Sequence, residues 1–336
     1  MSGTPKLSGT HKLAATALSL AILLLVVPWA IAASGRSDLY YTLTSVALLS
    51  VASGGVWLTF YIGRINIGQG AYALIGGYVS AILMVDYGVS FWLTLPLAGL
   101  FCVAASVVIG LPILKLRGVY FAMVTLVLTE VVRLLALALP MTHGASGMVE
   151  IPLPGALTIF GVTLLPDFAT LRNPRLAFYI TAVILMALCY AGLYRLVHSR
   201  IGRLCMSLQQ NEELASSIGV NIASLRLIAY AISSFLGGVG GAMFVAISQS
   251  IYPSSFTVTD SVNFMLNCFL GGLGYVFGPI IGTFVLYFGW DFLFQTGEYQ
   301  LLIYSSLLIL LMLVLPNGLL SLRLPSSLRL RSWRKG

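Results

Sequence analysis

Charge is what this chain has least of. Only 8% of its 336 residues are Asp, Glu, Lys or Arg, and lysine is confined to Lys6, Lys12, Lys115 and Lys335. A phosphate-cradling G-x4-G-K-[ST] loop needs a lysine just behind its glycines, and none of the four stands in that setting. The chain therefore cannot bind ATP by that route. Histidine is as scarce: His11, His143 and His198 fall in a tail and two loops. With no H-E-x-x-H, no G-x-S-x-G and no carboxylate cluster, neither a catalytic set nor a metal site is expected. Cys102, Cys189, Cys205 and Cys268 are scattered through apolar context without C-x-x-C spacing, so they read as packing residues.

What the chain has in plenty is apolar surface. It is 59% hydrophobic with a mean hydropathy of +0.98, too greasy to cover itself as a soluble domain. The expected class is an all-α, polytopic transmembrane helical bundle in a lipid bilayer. The net charge of +8 raises nucleic acid as a partner. The basic residues, however, lie mainly at the two ends and in two short loops, with no aromatic-flanked basic face. They read as topology determinants, with no nucleic acid involved.

A hydrocarbon layer of about 30 Å takes about 20 helical residues. Runs of that kind are Leu13–Ala33, Leu39–Ile62, Phe91–Leu114, Gly118–Leu139, Leu176–Val197, Leu225–Ser248 and Leu301–Leu322. Two regions are interrupted by glycine: Ile65–Val85, and Val262–Phe294 with GGLGYVFGPIIG in its middle, long enough for two short segments turning at Gly271–Pro279. Lys6, Lys12, Lys115, Arg117, Arg195, Arg200, Arg203 and the cluster Arg323 to Lys335 should all be cytoplasmic. That requires an even number of spans, ten if Val262–Phe294 crosses twice, eight if both broken regions are re-entrant. The division is then a cytoplasmic tail 1–12, a membrane domain 13–322 with an outer loop 140–174 and a cytoplasmic loop 199–224, and a basic cytoplasmic tail 323–336. Lys12, Leu18–Val27 and Ala30-Ile31-Ala32 have the outline of a secretory signal, but about 20 apolar residues is long for one.

The cytoplasmic loop holds the most specific local pattern. Asn211 can cap a short helix from Glu212 to Ile218, the paired carboxylates Glu212 and Glu213 suit its first turn, and Gly219 can end it. Two turns cannot stand alone in water, so this helix needs a protein surface. Ile201, Leu204, Leu208, Ala215 and Ile218 follow helical spacing, leaving Gln209, Gln210, Glu212 and Glu213 for a polar partner or water.

Three further constellations lie within the spans. Gly68, Gly70, Gly76 and Gly77 in the first half and Gly271, Gly272, Gly274 and Gly278 in the second suit helices broken around a polar solute, or close helix packing through small residues; both readings are open. Glu130 and Arg133 share a helix face, and each alone would cost about 2.5–3.5 kcal/mol in the membrane. A structural ion pair inside the bundle is the preferred reading, with lining of a path for a zwitterion as the alternative. Asp260, Asn263 and Asn267 recur at helical spacing and suit a wet pathway or bonds to neighbouring helices. Trp92 and Tyr299, near span ends, suit interfacial anchors.

Several of these segments together resemble the inner-membrane permease family of branched-chain amino-acid ABC importers, the larger of its two subunit types. The matching pieces are Asn66-Ile67-Gly68-Gln69-Gly70-Ala71-Tyr72; Arg117 to Ala122 with Thr125, Glu130 and Arg133; Gly144 to Gly147; Ile201-Gly202-Arg203 through Glu213-x-Ala215-x3-Gly219; Gly271 to Pro279; and Pro316-Asn317-Gly318-Leu319. They cover roughly residues 40 to 322. The resemblance implies a bacterial inner-membrane importer with both termini of this subunit cytoplasmic. It implies two cytoplasmic ATP-binding subunits that hold ATP and Mg, a second homologous permease subunit and a periplasmic solute-binding protein, with no cofactor on this chain. Arg203, Glu212, Glu213, Ala215 and Gly219 would couple to the ATPase, with Leu214 where the pattern has its first alanine. Asn66, Gly68, Gly70, Tyr72, Asn263, Asn267, Gly271, Gly272 and Gly274 would line the solute pathway. Ser146 stands where the family usually has an acidic or amide residue and Tyr275 where it has a small Ser. Close relatives carry urea or short amides, so the solute stays open. From a different class, an autonomous ion-coupled transporter or channel would use Glu130, Asp260 and Asp291.

Overall fold

A computed structural model describes residues 38–322, apart from 117, 160, 161, 166, 172, 218, 294–296, 298 and 316, together with Pro28. The expected first span (Pro28 aside), the tails 1–12 and 323–336, Arg117, Ile218 and Pro316 lie outside the described residues. The helices are α1 (Asp38–Tyr61), α2 (Gln69–Val85), α3 (Phe91–Ile113), α4 (Val119–Ala138), α5 (Pro174–His198), α6 (Arg200–Gln210), α7 (Glu212–Ser217), α8 (Ile222–Ser248), α9 (Val258–Gly271), α10 (Gly278–Leu293) and α11 (Gln300–Val314). Among the described residues, α1, α3, α4, α5, α8 and the stretch beginning with α11 are long and apolar enough to cross a membrane; α2 and α10 are shorter apolar helices. At 1.5 Å per residue, α9 and α10 reach roughly 21 and 24 Å, short of the layer taken singly.

Central to the bundle is α8, which packs on α1, α2 and α3. In lipid, apolar side chains gain nothing from leaving one apolar medium for another, so close backbone approach and hydrogen bonds must hold helices together. The sequence GGVGG at 237–241 supplies the approach. A Cβ on Gly76 would lie 2.4 Å from the Gly238 backbone, and one on Gly241 only 1.9 Å from the Ala73 carbonyl oxygen. On the neighbouring side, the Phe235 ring fills the notch at Gly99 of α3. Buried hydrogen bonds add to this: the Gln69 amide donates to the Ser233 carbonyl at 2.9 Å, Ser233 Oγ returns a bond to Gln69 Oε1 at 3.1 Å, and Tyr72 bonds Tyr230 at 3.0 Å.

Gly76 and Gly77 therefore do not break a helix. They lie inside continuous α2, whose irregular approach is residues 63–68 instead. The later glycine region does form two short helices, with the turn at Gly272–Phe277.

Loops sort to two ends of the bundle. At one end Arg64 donates to the Leu116 carbonyl (2.5 Å), Gln209 to that of Phe60 (3.3 Å) and Trp57 to that of Leu273 (2.9 Å). This end also carries Lys115, Arg195, Arg200 and Arg203. At the other, residues 140–174 fold over the bundle in two short 3-10 turns and an antiparallel hairpin, β1 (Leu157–Ile159) with β2 (Val162–Leu165), an addition to the all-α bundle that the sequence did not announce. Met148 and Ile251 pair through their backbones at 2.8 and 2.9 Å, and Trp92 donates to the Gly155 carbonyl at 2.8 Å. Trp92, expected as an interfacial anchor, thus clasps this loop while packing on Phe168. Tyr299 is 67% exposed.

Gly241→Leu should prevent α2 and α8 from meeting, costing several times the 1–3 kcal/mol typical of modest overpacking. Gly192→Ala, with nothing within 4 Å of the added Cβ, should be neutral. Thermal unfolding of the detergent-solubilised protein checks both: folded Gly241→Leu at the parental midpoint would contradict the crossing.

Candidate functional site

At the basic end, α6 and α7 form a small lever against the bundle. Ser199 caps α6 by accepting from the Gly202 N–H at 3.3 Å, and Gly202, Cys205 and Leu208 are its buried face. Ile201 and Leu204 are 39% and 38% exposed, contrary to the expected apolar stripe. The reason is steric: a Cβ on Gly202 would lie 2.3 and 2.4 Å from the Val197 and Leu196 carbonyl oxygens, so only glycine fits on that face. Burial pushes the Cys205 thiol above its ordinary pKa, keeping it protonated and unreactive.

Asn211 caps α7 by accepting from the Leu214 N–H at 3.0 Å. The helix ends at Gly219, whose φ of +83° disfavours any side chain, with Val220 N–H returning to the Ala215 carbonyl at 3.2 Å. Ala215 is the buried knob, 2% exposed. Glu212 does not face outward for a partner. Its Oε2 accepts from Arg226 Nη2 at 2.5 Å, fastening α7 to the first turns of α8 across a pair that is 26% and 9% exposed. Glu213 and Arg203 are exposed, and Leu214 is 64% exposed. The outward face of the lever is therefore acidic, basic and apolar at once, a surface suited to a folded protein.

The residues expected along a pathway are mostly tied into the fold. Asn66 is fully buried and accepts from the Gly68 N–H at 2.9 Å; Thr125 Oγ1 takes the Ile67 N–H at 3.1 Å, and Ser261 Oγ the Gly70 N–H at 2.9 Å. Three backbone donors at the entry to α2, those of Ile67, Gly68 and Gly70, are thus bonded by side chains. Tyr72 holds Tyr230, and Asn267 donates to Ser53 Oγ at 2.9 Å. Gly271, Gly272, Gly278, Gly282 and Gly318 interlock: a Cβ on Gly271 would lie 1.8 Å from the Gly278 oxygen and one on Gly318 2.3 Å from Gly272 Cα. Here the small-residue packing reading fits. Gly274 is exposed in the turn at the basic end, away from mid-membrane, and Asn263 is half-buried on α9. A cavity of about 130 Å³ lies between α1, α8, α9 and α10, lined by Leu48, Ala52, Phe244 and Phe264 with Tyr41, Ser45 and Tyr287; none of the expected pathway residues lines it.

Glu130 and Arg133 form a two-pronged pair, Nε to Oε2 at 2.9 Å and Nη2 to Oε1 at 2.5 Å. Their side chains are 43% and 27% exposed, so the pair sits on the bundle's flank rather than inside it. Asp260 closes a capping box at the start of α9, accepting from Thr257 N and Oγ1 at 2.8 Å each. Sequence reasoning missed Arg64, Gln69, Arg226 and Ser233. The two arginines beside apolar runs were a legible signal; Gln69 and Ser233, short polar residues among small ones, were not.

Glu212→Gln should weaken the tie to α8 while leaving the caps of α7 in place. A loss of about 1–3 kcal/mol for the largely buried guanidinium corresponds to local opening about 5 to 150 times more often. Hydrogen exchange over residues 212–217 should quicken accordingly, with α2 and α8 unchanged; unaltered exchange would mean that Ala215 alone holds the lever.

A family model described as branched-chain amino acid transport system / permease component matches residues 39–316. The high-affinity branched-chain amino acid transport system permease protein LivM of Salmonella typhimurium is 32% identical, over 93% of this chain and 76% of the relative. Its Escherichia coli counterpart is also 32% identical, over 91% and 75%. The ribose import permease protein RbsC of Escherichia coli is 22% identical, over 83% and 85%. No solved structure matches the chain. The match reaches from α1 to just past α11, and the chain belongs to the permease-component family of branched-chain amino acid transport systems.

Proposed function

We propose that this multi-pass membrane protein is the permease subunit of an ATP-driven importer that takes up branched-chain amino acids. The observation that carries the reading is the α6–α7 lever. A capped six-residue helix is fastened to the central helix by Glu212 and Arg226, while Glu213, Leu214 and Arg203 face outward. Such a surface has a use if a separate motor grips it, and the chain has no phosphate-binding lysine loop of its own. Cytoplasmic ATP-binding subunits would hold ATP and Mg and push on α7. A second homologous permease would complete the membrane domain, and a periplasmic binding protein would deliver solute. The basic end, with α6 and α7, would face the cytoplasm of a bacterial inner membrane, with both termini on that side. Branched-chain amino acids are preferred over sugars because the relatives named for them are 32% identical and the one named for ribose 22%.

The autonomous ion-coupled reading loses its main support in the side chains it needs. Glu130 is occupied by Arg133, Asp260 by the cap of α9, and Asp291 is exposed near the end of α10. None is a buried carboxylate waiting for an ion.

Extraction of the tagged chain from native membranes in mild detergent, with mass spectrometry of the proteins bound to it, tests the proposal. An ATP-binding protein and a second permease should co-purify, and both the ATP-binding protein and uptake should be lost from Glu213→Lys and from Gly219→Pro, which cannot adopt φ +83°. A chain that purifies alone and moves leucine on an ion gradient in liposomes without ATP would overturn it.

A further inference from the structure

One flank of α4 carries a feature that apolar packing does not explain. Glu130 and Arg133 lie roughly 16 and 21 Å along the helix from Val119 at 1.5 Å per residue, near the middle of the hydrocarbon layer. Their side chains are 43% and 27% exposed. On α9, joined to α4 by the Thr129–Ser261 hydroxyl pair at 3.1 Å, Thr259 is exposed and Asp260 and Asn263 are half-buried. Many other polar side chains of the bundle are turned inward. Ser53, Gln69, Thr125, Thr129, Ser233 and Ser261 are all fully buried.

A two-pronged ion pair cancels its net charge but keeps a strong dipole, spare carboxylate lone pairs and an Nη1 that has no bond among the described residues. Lipid tails satisfy none of these, so water or protein must cover this flank. Met123 and Val127, close by on the same helix, are 59% and 54% exposed, which gives a neighbouring helix apolar surface to pack on beside the polar strip.

We infer that this flank of α4 lines the solute path where the chain meets the second permease subunit, and that Glu130 and Arg133 receive a zwitterionic solute there. The inference rests on the importer reading above. The solute's ammonium would replace Arg133 at the carboxylate, and its carboxylate would replace Glu130 at the guanidinium. Charge stays balanced throughout the exchange: two bonds within the pair give way to two with the solute, and the pair recloses when it leaves. A sugar or an uncharged amide brings no opposite charges to make that exchange. The pair therefore favours amino acids over neutral solutes of similar size, independently of whatever delivers them.

The test uses the intact transporter purified with its partner subunits, reconstituted with its binding protein and given radiolabelled leucine. Glu130→Gln/Arg133→Met removes both charges together and leaves neither ion stranded, so a pair that only braces the bundle should tolerate it. The expected result is a complex that assembles with its partners while leucine uptake falls at least tenfold. Uptake at the parental level would overturn the proposal. Should that variant fail to assemble, Leu126→Cys decides, because it lies one helical turn from Glu130 and leaves the pair intact. A membrane-impermeant cationic thiol reagent should modify it in the assembled complex, and leucine should slow the modification. No modification would overturn the proposal. Failure of the parental chain to bring down any ATP-binding subunit would instead count against the importer reading, while labelling at Leu126→Cys would still report whether the flank is wet.

Discussion

The backbone contact between α2 and α8 is the constraint on which the rest of the membrane domain depends. Gly76 meets Gly238 and Gly241 meets Ala73 at distances that exclude any Cβ, so the two helix axes lie closer than side chains normally permit. Within a bilayer that closeness has to supply the attraction that burial from water supplies elsewhere. It also sets the positions of other elements. Gln69 can reach the Ser233 carbonyl because the helices touch, and a Cβ on Gly55 of α1 would collide with that same carbonyl and with the Gln69 amide. Cys102 and Phe235 then fit α3 onto the other side of α8. Four helices are placed by one patch of small residues.

The same helix connects the membrane domain to the lever. Asn221 caps α8 by accepting from Ser224 N–H at 3.1 Å, and Arg226 one turn further reaches Glu212. α7 is thus joined to α8 by two routes along which a motor's push would travel under the proposed function, the short covalent link at Gly219–Asn221 and the ion pair. A displacement along α8 cannot leave α2 behind, because the glycine contact has no slack. At its far end α8 is held through Ile251 and Met148 to the loop that covers the opposite face. The helix that would receive force at one end under the proposed function is thus the helix whose other end is held to the loop 140–174. Such an arrangement suits rigid-body movement better than local bending.

Much of this was legible in the residues. Apolar runs located α1, α3, α4, α5 and α8 to within a few residues, and the start of α11 though not its end at Val314, because length and hydropathy are dictated by the bilayer rather than by detailed packing. Asn211 and Gly219 marked the two ends of α7 because capping is a local matter of side-chain reach and backbone angle. What failed was anything that depended on which surface a residue meets. Gly76 and Gly77 read equally well as a break or as a contact surface, and only the presence of Gly238 opposite decides. Glu212 and Glu213 look alike in sequence, yet one is bound to Arg226, fourteen residues away, and the other is exposed. Ile201 and Leu204 suited the buried face of an amphipathic helix, but Gly202 and Cys205 took that face because the chain enters α6 too close to α5 for larger side chains. Pathway residues were hardest of all to identify, since a polar side chain in a span signals only that it needs a partner.

The glycines of the second half show why that signal misleads. Gly271, Gly278, Gly282 and Gly318 bring α9, α10 and the segment after α11 into backbone contact, leaving no volume between them for a solute. Asn267 and Cys268, one turn before this knot, bond to Ser53 of α1, and Trp57 of α1 bonds to the Leu273 carbonyl in the turn. The α9–α10 hairpin is therefore pinned to α1 on one side just as α2 and α8 are pinned on the other, with α1 as the shared wall, 83% buried in its apolar window. The two groups of helices also meet directly at Ser261, which bonds Gly70 of α2 and Thr129 of α4, and the cavity between them, about 130 Å³, is lined mainly by apolar side chains and by none of the residues expected along a pathway. On the proposed reading the solute passes along the flank of α4, and the polar side chains that serve it there are those the packing leaves half-exposed rather than those it encloses.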